Sequence, residues 1–340
     1  MSSIDIVIPC YRYGRYLREC VESVLAQDIA NCRILIIDDH SPDETPQVAR
    51  ALVGEDARIT YRRHAVNKGH ISTYNEGIDW CSSDYMLLLS ADDCLLPGAL
   101  MRAMALMDAH SAVGMCCGNA VMLHANGTRR PITVPVDFSS AQSLVLDGGA
   151  FIQLCADTLA RDIVPTPTAV VRTALVKQIG AYRADLPHSA DMELWLRIAA
   201  HGCVGMLKPA QSVYRRHGAN MSSTYQADNH LKDLLQREAA FDAFLGSCGG
   251  VLPNAAMLHR SLMQGLSRDA VGQASLAFSA GHRALSERLC ALAARLDPGI
   301  RKTGEWRALA FRRLIGASAS NALQPIAAKF RWLKPGGNPG

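Results

Sequence analysis

Residues 33–39, RILIIDD, decide the fold. Four apolar residues in a row, Ile34 to Ile37, leave no alternation between a wet and a dry face, so this strand is covered on both sides. Its neighbours repeat the theme. IDIVI at 4–8 is a short strand ended by Pro9, and YMLLLS at 85–90 is another. A weaker strand runs from Arg58 to Arg62. Helical patterns fill the gaps: 16–27 with Leu17, Val21, Val24 and Leu25 on one face, then 42–53, 70–80, and 97–109 opened by Pro97. Strands alternating with helices predict an α/β domain with a mainly parallel sheet flanked by helices.

The pattern loosens further on. Residues 113–123 read as a strand and Asn126-Gly127 as a hairpin turn. A loop and a helix follow over 131–160, and ADMELWLRIAAH at 190–201 is an amphipathic helix stopped by Gly202. Beyond about 225 only Ala- and Leu-rich helices are expected, over 228–246, 254–265, 268–280 and 282–296. The reading divides the chain into a catalytic domain at 1–225, a helical region at 226–300 and a basic, partly amphipathic tail at 301–340.

Of the 340 residues, 49% are apolar and 19% charged, which excludes a disordered chain or a simple coiled coil. The net charge of +4 hides an asymmetry: residues 301–340 hold eight basic residues and one acid, +7, leaving −3 on the first 300. A nucleic-acid binder carries its positive charge on the body of the fold, so nucleic acid is not an expected partner. The eleven cysteines include no CxxC pair, which predicts free thiols rather than a disulfide framework or a structural zinc site. The N-terminus has no signal-peptide pattern and no stretch is apolar enough to span a bilayer. The expected location is cytoplasmic, with the inner face of the cell membrane as the one surface the basic end would touch.

Ligands of such sheets bind beyond the carboxyl ends of the strands. There the sequence places Pro9-Cys10-Tyr11, Asp38-Asp39 and Asp92-Asp93. One member of each acidic pair is expected to cap a helix or meet solvent, or else to meet a ligand. Hard divalent cations bridging phosphates use only one or two protein carboxylates, which Asp92-Asp93 supplies. No Walker A or GxGxxG fingerprint occurs, so a glycine nest does not hold the phosphates. Asp191 and Glu193 open a helix, where acids suit the dipole. Trp195 reads as core or as a sugar platform, and His217 follows Tyr214-Arg215-Arg216.

Six segments together resemble the inverting, nucleotide-sugar-dependent glycosyltransferases of family 2, which have a GT-A fold. They are IVIPCYRYGRYLRECVESVLAQ (6–27), ILIIDDHSPDET (34–45), NKGHISTYNEGI (67–78), LLLSADD (87–93), ADMELWLRIAAHG (190–202) and YRRHGANMS (214–222), in the family's order. The resemblance covers residues 3–225, with a C-terminal helical extension beyond. It implies that Pro9 and Tyr11 border the nucleotide base and that Asp39 accepts the base's ring N–H. It implies Asp92 at the ribose or metal, Asp93 as ligand of Mn²⁺ or Mg²⁺, His217 beside the metal, and Asp191 as catalytic base. Lys68 and Arg216 are implied as phosphate contacts. Two positions depart from the family pattern: Ser90 stands where an extra acid is common, and Ala190 where a Glu precedes the base.

The resemblance implies one inverting displacement, with a UDP-sugar as the favoured donor and a saccharide or lipid-linked saccharide of surface glycan as acceptor. Two other readings stand beside it. A nucleotidyltransferase shares the sheet and the carboxylates but needs a glycine-rich loop after its first strand. A degenerate GT-A domain serving as a scaffold is suggested only by Ser90 and Ala190. In the tail, Trp306, Leu309, Arg312, Arg313 and Leu314, then Ile326, Phe330, Trp332 and Leu333 among basic residues, suit either an interface helix on an anionic membrane or a helix packed on the catalytic domain.

Overall fold

A computed structural model of the chain describes residues 2–218, 220 and 230–316. The first half alternates as expected: β1 (Ile4–Cys10), α1 (Gly14–Leu25), β2 (Cys32–Asp38), α2 (Thr45–Glu55), β3 (Ile59–Arg63), α3 (His70–Trp80), β4 (Tyr85–Leu88), β5 (Cys94–Leu95) and α4 (Ala99–Ala109). Then come β6 (Val113–His124), β7 (Arg129–Ile132), β8 (Ser143–Leu146), α5 (Gly148–Asp157), β9 (Val170–Arg172), α6 (Thr173–Ile179), α7 (Ala190–His201) and β10 (Cys203–Arg216). Helices α8 (His230–Cys248), α9 (Ala255–Ser279), α10 (Arg283–Leu296) and α11 (Gly304–Ile315) close the chain.

One sheet runs β3-β2-β1-β4-β9-β6-β10-β5, with β7 added on β6 and β8 on β10. It is parallel across β3-β2-β1-β4 and again between β6 and β10. The other pairings are antiparallel, including both made by β9, which inserts between β4 and β6. The sheet is therefore mixed beyond its N-terminal half. Ile34 to Ile37 are completely buried, as the unbroken apolar run requires. Their side chains divide between two cores, Leu35 and Ile37 on one face, Ile34 and Ile36 on the other. Helix α3 lies close on β1 because position 77 is glycine: a Cβ there would stand 2.3 Å from a methyl of Val7.

The larger core continues from the sheet into α8, α9 and α10, from Val7 to Leu309. Where two helices were expected over 254–280, α9 is one helix of 25 residues. Gly265 lets it touch the end of α5, since a Cβ would meet the Ala156 carbonyl at 2.3 Å. Asp269, just past the expected break, is buried and paired with Arg161 and Arg237. All eleven cysteines are free. Among the described residues no helix is long and apolar enough to cross a membrane. Helix α11 packs through buried Leu309, while Arg312 donates to Ser275 Oγ at 2.6 Å and Arg313 to Glu287 at 3.3 Å. Residues 304–315 thus have the packed arrangement, with Phe311 and Leu314 outside. The stretch from Ile326 to Lys334 lies outside the described residues.

Candidate active site

Parallel pairing sets Cys10 beside Asp38, and Val7 beside Leu88, so the loops after β1, β2 and β4 open on one edge. The first acidic pair splits there. Asp38 turns inward, accepting from Ser41 N (2.7 Å), Tyr61 Oη (2.9 Å) and Arg63 Nε (3.1 Å). Asp39 faces the edge. Its carboxylate accepts from the Lys68 and Gly69 amides at 2.7 and 2.9 Å, and His64 Nδ1 lies 2.7 Å away. Gly69 makes this with φ +82°, a conformation that suits glycine. His64 Nε2 meets Glu76 at 2.9 Å. With a carboxylate on each ring nitrogen, His64 is a buried strut that orients Asp39.

Asp39 lines a cavity of about 500 Å³ with Pro9, Tyr11, Arg12, Asn67 and Tyr74. Tyr11 is partly exposed at its rim. Lys68 enters through its backbone alone: its Nζ reaches Glu76 at 3.2 Å, and its side chain does not line the cavity.

The second pair stands after β4. Ser90 Oγ donates to one oxygen of Asp92 at 2.5 Å, and Asn220 Nδ2 to the other at 3.0 Å, where His217 Nε2 also lies at 3.1 Å. Asp92 is thereby saturated, and His217 faces Asp92 rather than Asp93, its ring stacked on Tyr16 at 5.1 Å. Asp93 accepts from the Arg215 amide at 2.8 Å through one oxygen. Antiparallel pairing of Val213 with Cys94 brings this amide back across the chain. Burial, and then the charge of Asp92, push the Asp93 carboxyl well above its ordinary range. Asp93, buried beside a second carboxylate and accepting a single hydrogen bond, fits a divalent cation held by it and by ligand oxygens. No cluster of three or more His, Cys, Asp or Glu side chains arranged for a metal occurs among the described residues.

Asp191 sits in the first turn of α7, and Glu193 in that turn locks the helix. Glu193 is fully buried and pairs with Arg197 at 2.6 Å, while Arg197 caps the carbonyls of Ile179 and Ala181 after α6. Glu193 is therefore an anchor, with no access to substrate. Burial raises the Asp191 carboxyl, against hydrogen bonds from Tyr182 and from Thr166 at 3.3 Å. Trp195 is buried core.

A cavity of about 370 Å³ is lined by Asp92, Asp93 and Asp191 together. It shares Tyr13, His70, Tyr74, Ser90 and Asn220 with the Asp39 cavity. On its other side it shares His188 and Asp191 with a third cavity of about 610 Å³. Arg216 lines that third cavity and neither of the others, because alternation along β10 sends it away from Arg215. Arg215 runs to the Asp92 carbonyl at 2.9 Å and to Glu19 at 2.7 Å. The sequence reading missed His64, Ser90 as donor, Thr166, Tyr182 and Asn220. Only Asn220 carried a local signal, in the segment after His217.

The model of glycosyl transferase family 2 matches residues 5–162. An uncharacterized glycosyltransferase of Haemophilus influenzae is 22% identical over 243 residues, 69% of this chain and 72% of that protein. A GalNAc(5)-diNAcBac-PP-undecaprenol beta-1,3-glucosyltransferase of Campylobacter jejuni is 30% identical over 105 residues, 31% of this chain and 34% of that protein. Among solved structures, S. aureus TarS 1–349 in complex with UDP-GlcNAc superposes with a TM-score of 0.59 at 16% identity, covering 88% of this chain and 92% of that one. Residues 5–162 thus match glycosyl transferase family 2, and the sheet with its parallel N-terminal half has the GT-A fold.

Proposed function

We propose that the enzyme transfers a sugar from a nucleotide-sugar, a UDP-sugar in first place, to a hydroxyl of a saccharide or lipid-linked saccharide in surface-glycan assembly, with inversion. The carrying observation is that Asp92, Asp93 and Asp191 line one cavity, between the cavity of Asp39 and that of Arg216. The names of relatives support the substrate classes: one protein is a glucosyltransferase acting on a polyprenol-linked saccharide, and another binds UDP-GlcNAc.

In this reading Tyr11 and Pro9 border the base and Asp39 accepts its ring N–H. A carboxylate on that edge favours bases that present an N–H over those that present only an acceptor. Asp93, with Asp92 and His217 behind it, holds Mn²⁺ or Mg²⁺, which when bound neutralises charge on the departing diphosphate. Asp191 takes the proton of the acceptor hydroxyl as that oxygen attacks the anomeric carbon. Its raised carboxyl suits a general base, and Tyr182 and Thr166 hold it in place. Ser90 offsets the missing acid by fixing Asp92.

A donor screen tests the reading. Calorimetry and slow hydrolysis with UDP-, GDP- and dTDP-sugars, with and without Mn²⁺ or Mg²⁺, should find one donor class that needs the metal. A folded protein that binds none of them would contradict it and favour the scaffold reading.

A further inference from the structure

Past Asp191 the cleft continues into the third cavity, whose far wall is built by α8 and α9. Both helices lie outside the segment matched by the family model. The cations here fall into two groups. Arg161 and Arg237 converge on Asp269 at 2.7 and 2.6 Å, and Arg237 also pairs with Asp233 at 3.0 Å. Asp233 in turn holds His188 at 3.0 Å. Arg216 is half-buried and makes no hydrogen bond or ion pair with a described residue. The lining is incomplete elsewhere too: the buried Nε of Arg237 and Oε1 of Gln273 have no partner among the described residues. Arg237 itself is only 6% exposed.

A half-buried guanidinium with no counter-ion among the described residues, in a wall that also holds an orphan donor and an orphan acceptor, is a set that a ligand completes. The acids of the cavity are already engaged. Asp233 and Asp269 serve the paired arginines, and Asp191 is held by Thr166 and Tyr182. Asp162 accepts from the Val164 amide at 2.9 Å, and desolvation in the cavity raises its carboxyl to about 7, which lessens its negative charge near neutral pH.

We propose that this cavity binds an acceptor saccharide carrying an anionic group, a carboxylate or a phosphate, with Arg216 as its counter-ion. The proposal rests on the reading of Asp191 as the base, toward which the reacting hydroxyl turns. Arg216 offers a planar fork suited to either anion.

The test uses the full chain with UDP and Mn²⁺ present, and three probes: glucuronate, glucose 6-phosphate and methyl glucoside. Ligand-observed NMR or calorimetry reads their affinities. At least one anionic probe should bind about tenfold or more tighter than methyl glucoside, the scale of a charge-assisted hydrogen bond. The tighter of the two names the carboxylate or the phosphate. Arg216→Gln should erase the preference, Arg216→Lys should restore part of it, and UDP affinity should stay put. Gln273→Glu, away from β10, should weaken the anionic probes and spare the neutral one. Equal binding of charged and neutral probes would overturn the proposal. So would an Arg216→Gln protein that loses UDP affinity and keeps its probe affinities, since Arg216 would then serve the donor diphosphate. Absence of UDP binding in the unaltered protein, with the anion preference intact, would count against the donor reading alone.

Discussion

The proposed donor side of the cleft and the proposed acceptor side differ in how their parts are gathered. Asp39, His64, Lys68 and Gly69 all come from the stretch between β2 and α3, and the second acidic pair follows one strand later. On the acceptor side Arg161 meets Asp269 across 108 residues, and His188 meets Asp233 across 45. Short-range parts appear in a sequence as contiguous motifs. Long-range parts exist only once the helices have packed. The Asp39 site is also held largely through the Lys68 and Gly69 amides, the acceptor wall mainly through side-chain ion pairs, so the two should respond differently to substitution.

The largest effect should come from the acceptor wall. Asp269→Ala leaves Arg237 buried with one of its two acidic partners, which should cost about 3–5 kcal/mol of unfolding free energy. Urea denaturation measures it, and donor affinity of the folded fraction should be unchanged. A parallel loss of donor affinity would merge the two walls into one unit. Next, Asp93→Asn should weaken metal-dependent donor binding by about 100-fold, with little effect in the absence of metal. Calorimetry with and without Mn²⁺ reads the difference.

A smaller effect is expected at the strut. His64→Gln keeps one hydrogen bond but removes the link from Asp39 to Glu76. The donor KM should rise about tenfold with kcat nearly constant, as loss of a charge-assisted hydrogen bond in ground-state binding predicts. An equal fall in kcat would place the strut in the chemistry instead. The smallest is a pH shift. Burial raises Asp191, and the base works deprotonated, so activity is lost as pH falls through its raised pKa. The acid limb of the pH–kcat profile should therefore lie above that of an ordinary aspartate. Thr166→Val, which removes a bond to the charged form, should move it further up.

The same contrast explains what the sequence disclosed. RILIIDD and LLLSADD carry both the buried strands and the acids that end them, so sheet and acidic pairs were legible together. Which acid of a pair faces the ligand was not written there: Tyr61 and Arg63, on the next strand, pull Asp38 inward and leave Asp39 outside. The strand β10 was missed because Lys208 and Gln211 break its alternation, and its register shifts between Leu207 and Ser212. Arg216 could not be assigned to a cavity until that strand was seen, because neighbours along a strand face opposite ways. The continuity of α9 depends on the contact at Gly265 and the ion pairs at Asp269, which no local propensity records.

The account turns on Asp191 acting on the acceptor and not on the donor. The most direct measurement is Asp191→Asn, assayed for donor binding by calorimetry and for turnover by donor hydrolysis with the metal present. The predicted result is wild-type donor affinity with a rate lower by about 10²–10⁴, the share of a general base. A variant that turns over normally, or one whose donor affinity falls in step with its rate, would contradict it.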